Sequence, residues 1–214
     1  LVGVTKWCAD VAPVKGLPEV GDCWSGDARA ITALKPTLVI GSVPYKSEMV
    51  AKLLEQPFNF LAMNPRTLAD VEEDILMLGR LTDRLGNAQR LVASMRREFA
   101  AIVKKMQKAE HRPRVYCEAW PNPRISSPPW VGELIRIAGG EIVIEAGKKV
   151  SHEEVAQAKP EVIVLAWTAT GSAAKPETAY AVEAWKDVPA IRDERVYIVW
   201  DHWLNTPGPP LVKG

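Results

Sequence analysis

The stretch Asn87 to Glu110, NAQRLVASMRREFAAIVKKMQKAE, decides the fold. Its apolar residues Leu91, Val92, Met95, Phe99, Ile102, Val103 and Met106 recur at the three-and-four spacing of one helical face. Arg96, Arg97, Glu98, Lys104, Lys105 and Lys108 fall mostly elsewhere. The spacing predicts one long amphipathic helix, punctuated by Gly86 before it and His111-Arg112-Pro113 after it. At about 1.5 Å per residue it spans roughly 35 Å, enough to brace two lobes of a small protein.

Working outward, the chain repeats itself across this helix. Asp27 to Ile40 reads DARAITALKPTLVI and Ser151 to Val164 reads SHEEVAQAKPEVIV. Each run has an N-cap residue, a short helix, a Lys-Pro break and a β-branched strand, and 159 − 35 and 160 − 36 both give an offset of 124. Two readings fit: a pseudo-duplication, or two ordinary helix-turn-strand units of an α/β protein. Ser151 and Glu154 form an S-x-x-E capping box under either. The expected architecture is α/β: two small lobes with largely parallel sheets and flanking helices, joined by the long rigid helix, with a ligand cleft between them. The expected divisions are residues 1–86, 87–110 and 111–214. The second copy carries an earlier strand and helix, 114–137, with no counterpart before Leu1, so a leading strand and helix are expected upstream, and the helix after Pro210 barely starts.

Composition narrows the function. The 214 residues, 47% hydrophobic and 25% charged, suit one large or two small domains with real cores. The 27 basic and 26 acidic residues are interspersed, net charge +1, with no basic stripe for nucleic acid and no polybasic membrane patch along the sequence. No apolar run approaches the roughly 20 residues of a membrane span. The chain begins at Leu1 without a methionine, and a removed or unseen N-terminus is expected. Three cysteines are too few for a disulfide scaffold and lack zinc spacing. Cys8 and Cys23, both in loop-like stretches, either pair in an oxidising compartment or remain thiols, while Cys117 reads as a buried thiol inside a strand. Eight tryptophans against three phenylalanines is unusual for a plain core and points to aromatic contact with a ligand.

Pattern and punctuation predict strands over Leu1–Thr5, Thr37–Ile40, Phe58–Met63, Arg114–Ala119, Glu141–Glu145 and Arg195–Trp200. Helices are expected over Ala28–Lys35, Ser47–Glu55, Leu68–Arg84, Trp130–Ile137 and Thr178–Trp185. In open α/β sheets ligands gather at the carboxyl ends of strands. Trp7, Tyr45, Trp120, Trp167 and Trp203 fall at such ends, forming a flat aromatic surface whose indole edges are free for polar contact. Trp24 and Trp185 lie away from strand ends and read as core residues. Tyr45, Thr168 and His202 are the polar anchors.

No G-x-S-x-G, H-E-x-x-H or G-x-x-x-x-G-K-[ST] is present, which argues against the common hydrolase, metalloprotease and nucleotide-binding designs. His111 and His152 read as surface residues. His202, between Asp201 and Trp203, is the candidate axial ligand for a metal macrocycle. An enzyme working through Cys8 or His202 on a bound cofactor, and a purely structural interaction module, are the rival classes.

The runs LVGVT, ALKPTLVIG, PPWVGELIRIAGGEIV and VSHEEVAQAKPEVIVL, with the long helix between them and the terminal W-x-x-x-P-G-P, resemble the helical-backbone class of periplasmic substrate-binding proteins of ABC importers. Within that class they look most like the cobalamin-binding proteins. The resemblance runs over essentially the whole chain. It implies a non-catalytic transport protein, monomeric, without an intrinsic cofactor, periplasmic or anchored outside the membrane. Its partners would be a corrinoid such as cobalamin, or haem or a ferric siderophore in relatives, and a membrane permease; nucleic acid is not expected. Carried onto this sequence, the contact positions are Trp7, Ser42, Trp120 (or Ala119), Trp167, His202 and Trp203. Glu48 matches the acidic residue that pairs with a permease arginine. Ser42 stands where a large residue is common, Trp167 where glycine is usual, and Asn205 near the expected second acidic position.

Overall fold

The computed structural model describes residues 1–22, 24–168 and 173–214. Cys23, and with it the pairing with Cys8, lies outside the described residues, as does the part of the expected strand-end loop from Ala169 to Gly171. The fold is α/β with mainly parallel strands, and the chain separates into two compact units, Leu1–Pro65 and Arg66–Gly214. The second unit contains the whole long helix and the helix before it, whereas the sequence punctuation set divisions at 86 and 110.

The first unit pairs β1 (Leu38–Ser42) in parallel with β2 (Asn59–Met63), in register from Leu38↔Asn59 to Ser42↔Met63. Helices α1 (Ala28–Ala33) and α2 (Ser47–Leu54) bury Ala28, Ile31, Met49 and Leu53 against Val39, Phe58 and Phe60. The Asp27 carboxylate caps α1 by accepting the Arg29 N–H at 2.9 Å. The expected strand Leu1–Thr5 is reduced to one bridge, Val4 to Glu19. Its backbone partners come from the returning loop instead of the sheet, with Val4 N–H to Pro18 O at 3.0 Å and Val20 N–H to Val4 O at 2.8 Å. Lys6–Asp10 then winds into a 3₁₀ turn within the stretch expected to be irregular.

The second unit opens with α3 (Leu68–Leu81), capped by a reciprocal Thr67–Asp70 box, and folds back into α4 (Leu85–Met106). The 22 residues of α4 make it about 33 Å long. It starts two residues early because the Asn87 and Ala88 N–H groups already bond the Arg84 carbonyl. Its inward stripe is Ala88, Val92, Met95 and Phe99, continued by half-buried Ile102 and Met106. Leu91 and Val103 lie on the shoulders of that stripe and remain 37% and 42% exposed.

The sheet of this unit runs β4 (Arg124–Ser126), β3 (Arg114–Pro121), β6 (Val162–Leu165), β7 (Val196–Ile198), and a short β5 (Glu141–Ile142) also pairs with the start of β3. All pairings are parallel except β3 with β4, a tight antiparallel return that periodicity did not announce. Between β4 and β5 lies α5 (Val131–Ile137), stopped at Gly139. With φ +86 that glycine lets the Gly140 N–H reach back to Ile135 O and its own N–H to Arg136 O. Between β5 and β6 lies α6 (His152–Ala158), opened by the Ser151–Glu154 capping box. The expected helix 178–185 is split into α7 (Pro176–Tyr180) and a 3₁₀ turn, Glu183–Trp185, because extended backbone at Val182 turns Trp185 into the core beside Tyr116 and Ile163. The strand expected over 195–200 is shortened to β7. After a brief α8 (Pro189–Arg192) and β7, the chain ends in α9 (Asp201–Leu204) and a 3₁₀ turn at Pro209–Val212. No helix among the described residues is long and apolar enough to cross a membrane.

The two copies of the repeat match at the level of single hydrogen bonds. Ile31 N–H to Asp27 O corresponds to Val155 N–H to Ser151 O, and Lys35 N–H to Thr32 O to Lys159 N–H to Ala156 O. Both lysines sit in the left-handed region, at φ 49 and 44, which ends each helix and avoids the right-handed conformation that a following proline disfavours. This favours the pseudo-duplication over two unrelated units.

Truncation separates stripe from shoulder on α4. Met95→Ala, at a site 2% exposed, is expected to cost about 2–5 kcal/mol. Leu91→Ala is expected to cost less than about 1 kcal/mol. Urea unfolding checks both, as a shift in midpoint at constant slope.

Candidate ligand-binding site

In the first unit, β1 and its crossover bring Ser42 and Tyr45 to one sheet end. Ser42 closes β1 opposite Met63, and the Tyr45 hydroxyl donates to the Met63 carbonyl at 2.8 Å. The Ser42 hydroxyl oxygen is buried without a hydrogen-bond partner among the described residues. Glu48 is exposed in the first turn of α2, where a helix N-terminus favours a carboxylate. Trp7 follows no strand, contrary to expectation, but lies in the Lys6–Asp10 turn, 36% exposed. Its indole N–H donates to Asp22 Oδ2 at 2.9 Å, and the Lys6 ammonium sits 4.3 Å from the ring centre. The other Asp22 oxygen accepts from the Trp24 and Ser25 N–H groups and the Ser25 hydroxyl. Partial burial opposes the Asp22 charge, but the donors from Trp7, Ser25 and Trp24 outweigh it and hold the carboxyl below its ordinary value. Trp24 itself, read as core, is 59% exposed; its backbone, not its ring, is what Asp22 fastens.

In the second unit the organising group is one that sequence reasoning passed over. Glu118 on β3 is 0% exposed. Its Oε2 accepts from the Tyr116 hydroxyl at 2.9 Å and pairs with the Arg124 guanidinium, and its Oε1 accepts the Trp167 indole N–H at 2.9 Å. Arg124 Nη2 lies 3.0 Å from His152 Nε2, and the guanidinium carbon 4.4 Å from the Trp185 ring centre. His152 is thus exposed yet engaged, and its carbonyl accepts the Trp185 indole N–H at 2.9 Å. The signal was present as a lone acid in the run VYCEAW; the partner, six residues on, became legible only with the β3–β4 return. Glu118, Arg124, Pro121, Leu165, Trp167 and Trp185 line a recess of about 280 Å³. A wider recess of about 490 Å³ lies along Pro36, Thr37, Gln56 and Phe58 at the opposite, amino ends of β1 and β2.

Beside this network, Trp120 stands past a bulge in β3, 37% exposed, its N–H donating to Asn122 O at 2.9 Å. Thr168 is held on two sides: its N–H reaches Ala119 O at 2.9 Å, and its hydroxyl accepts the Asn205 amide at 2.8 Å. Asn205, near the expected second docking position, also donates to Ala166 O at 2.6 Å and so fastens the end of β6. His202 sits in the short α9, with Asp201 Oδ1 at 4.0 Å and the Trp200 and Trp203 rings 5.9 and 5.8 Å away. Trp200, not singled out from sequence, is 53% exposed. His111 pairs with Glu161 at 2.8 Å on the surface. Among the described residues, no three His, Cys, Asp or Glu side chains gather as a metal cage.

One expectation is corrected for three of these residues. The indole edges of Trp7, Trp120 and Trp167 are not free, because each commits its N–H to an internal acceptor. What these three leave exposed is ring surface. The Cys8 thiol lies 3.4 Å from the Thr5 hydroxyl, which is no base at neutral pH. Burial, with the Glu118 charge, pushes the Cys117 thiol up to about 12.

Two measurements follow from these environments. Cys117 is expected to stay unmodified by iodoacetamide at pH 8 until denaturant is added, as read by peptide mass mapping. Because the Asp22 carboxyl is depressed in the folded protein, the stability it contributes is present above the ordinary 3.8 and lost only as pH falls through the lower folded value. Taken as the difference in emission between the protein and its Trp7→Phe variant, the Trp7 component should hold steady down to pH 3.8 and change below it.

Residues 1–201 match the periplasmic binding protein family. The uncharacterized ABC transporter substrate-binding lipoprotein YvrC of Bacillus subtilis (strain 168) is 24% identical over 226 residues, covering 100% of this chain and 70% of that protein. The vitamin B12-binding protein of Vibrio parahaemolyticus serotype O3:K6 is 26% identical over 192 residues, covering 86% and 67%. The periplasmic haem-binding protein RhuT of Roseiflexus sp. RS-1, in apo form, superposes with a TM-score of 0.82 at 25% identity, covering 99% and 85%. With its family match, its paired helix-Lys-Pro-strand units and its long helix, the chain belongs to the periplasmic binding protein family, in the helical-backbone class of ABC-importer substrate-binding proteins.

Proposed function

We propose that this chain captures a corrinoid on its exposed aromatic rings and delivers it to a membrane permease, working as a monomer without an intrinsic cofactor in the periplasm or anchored outside the membrane. The observation that carries the ligand class is the state of the rings. Trp7 and Trp120 remain about a third exposed although their polar edges are committed, which suits a large flat ligand bound by area and stacking. Ser42 and Tyr45 in the first unit, and Trp167, Thr168, His202 and Trp203 in the second, complete the proposed contact set. Similarity to the vitamin B12-binding protein supports the corrinoid, and similarity to the lipoprotein YvrC supports both the importer and the anchor. Haem is the second reading, favoured by one observation: His202 has the Trp200 and Trp203 rings 5.9 and 5.8 Å away, a setting for an axial nitrogen on a macrocycle's metal. Glu48 is the proposed permease contact. Asn205 contributes an amide rather than a charge, and that amide holds Thr168 and Ala166.

Tryptophan fluorescence during titration with cyanocobalamin, haemin and a ferric hydroxamate siderophore, corrected for inner-filter absorption, tests the reading. Saturable quenching by cyanocobalamin alone is the expected result; saturation by another ligand replaces the substrate, and no response from folded protein defeats the corrinoid and haem readings. Trp203→Ala should weaken binding at least about tenfold. Trp185→Ala is excluded as a control, because that ring is 0% exposed and its loss should cost about 3–5 kcal/mol of stability.

A further inference from the structure

Each unit holds one of its proposed ligand-contacting indoles in the same way. In the first, the Trp7 N–H meets Asp22; in the second, the Trp167 N–H meets Glu118, both at 2.9 Å. In neither case is the carboxylate a chance neighbour. Asp22 is itself fixed by three further donors, and Glu118 by Tyr116 and Arg124. Each acid is therefore a rigid anchor instead of a free side chain. A hydrogen bond to an ionised acceptor is shorter and about twice as strong as a neutral one, and it restrains the rotation that would otherwise let an indole fold onto the surface or swing into solvent.

We propose that Asp22 and Glu118 are positioning residues for ligand capture, each setting the ring plane of one indole, Trp7 and Trp167, before the ligand arrives. This rests on the ligand site proposed above. Neither acid touches the ligand, and both act through an indole N–H. Rings held in the bound orientation lose less side-chain freedom on binding, so the two acids raise affinity without adding a contact. The Lys6 ammonium over the Trp7 face gives that ring a defined cationic side as well.

The test is a pair of double-mutant cycles: Glu118→Gln with Trp167→Phe, and Asp22→Asn with Trp7→Phe. Phenylalanine keeps a face but has no N–H. Affinity for cyanocobalamin, haemin and a ferric hydroxamate siderophore is measured by equilibrium dialysis, with near-ultraviolet circular dichroism as the check on folding. Glu118→Gln should weaken binding about tenfold when Trp167 is present and less than about twofold in the Trp167→Phe background. Equal losses in both backgrounds in both cycles would mean that the acids only support the fold, and would overturn the proposal. If Glu118→Gln does not fold, the Asp22 cycle carries the test, since Asp22 lies at the surface and asparagine keeps one acceptor oxygen. If the unmutated protein binds none of the three probes, the ligand reading has failed separately. The positioning role is then read from acrylamide quenching, taken as the difference between proteins with and without Trp167→Phe. Glu118→Gln should raise the quenching of the Trp167 component, and unchanged quenching would overturn the proposal without reference to any ligand.

Discussion

A dehydrated carboxylate inside a mainly parallel sheet is the constraint to which the second unit is built. Removing a lone charge from water costs several kcal/mol, and the cost is met only when donors surround it in good geometry. Glu118 has three such donors from three separate parts of the chain: Tyr116 on its own strand, Arg124 across the β3–β4 return, and Trp167 beyond β6. Each partner must arrive at its place for the others to be tolerable. The pair is thus better understood as a specification of geometry than as a source of net stability, since buried ion pairs often do little better than apolar replacements.

The consequences spread outward from that carboxylate. Arg124 lies over the Trp185 ring and beside His152, whose carbonyl in turn takes the Trp185 N–H. This explains why the segment after α7 breaks into a 3₁₀ turn instead of continuing as a helix. The Tyr116 phenol, pushed above its ordinary range by burial and then by the Glu118 charge, stays protonated and remains a donor. The Arg124 Nε atom stays buried without a partner among the described residues, so the network is not saturated on its cationic side.

Much of the fold was legible because it is local. The apolar stripe of α4, the Asp27 cap, the Ser151–Glu154 box and the glycine stop at Gly139 are all written within a few residues of where they act. The Lys-Pro joints were legible as a repeat, though their left-handed backbone was not. Non-local pairing defeated the reading elsewhere. Leu1 to Thr5 has strand-like residues, but propensity does not say which backbone will answer them, and the answer was Pro18 to Val20. Trp120 and Trp167 were findable at strand ends from topology, whereas Trp7 turned out to follow no strand. Their partners were not, because an indole N–H can be satisfied by any acceptor the fold brings near, and Asp22, Asn122 and Glu118 are separated from their tryptophans by 15, 2 and 49 positions.

Internal satisfaction of those indole edges has a calorimetric consequence. A ligand that meets ring faces and displaces water from them, without exchanging polar partners, binds chiefly by removing apolar area from solvent. The robust signature of that process is a negative heat-capacity change. Capture by this protein should therefore grow more exothermic with temperature while its free energy changes little, because the enthalpic gain and the entropic loss run in step.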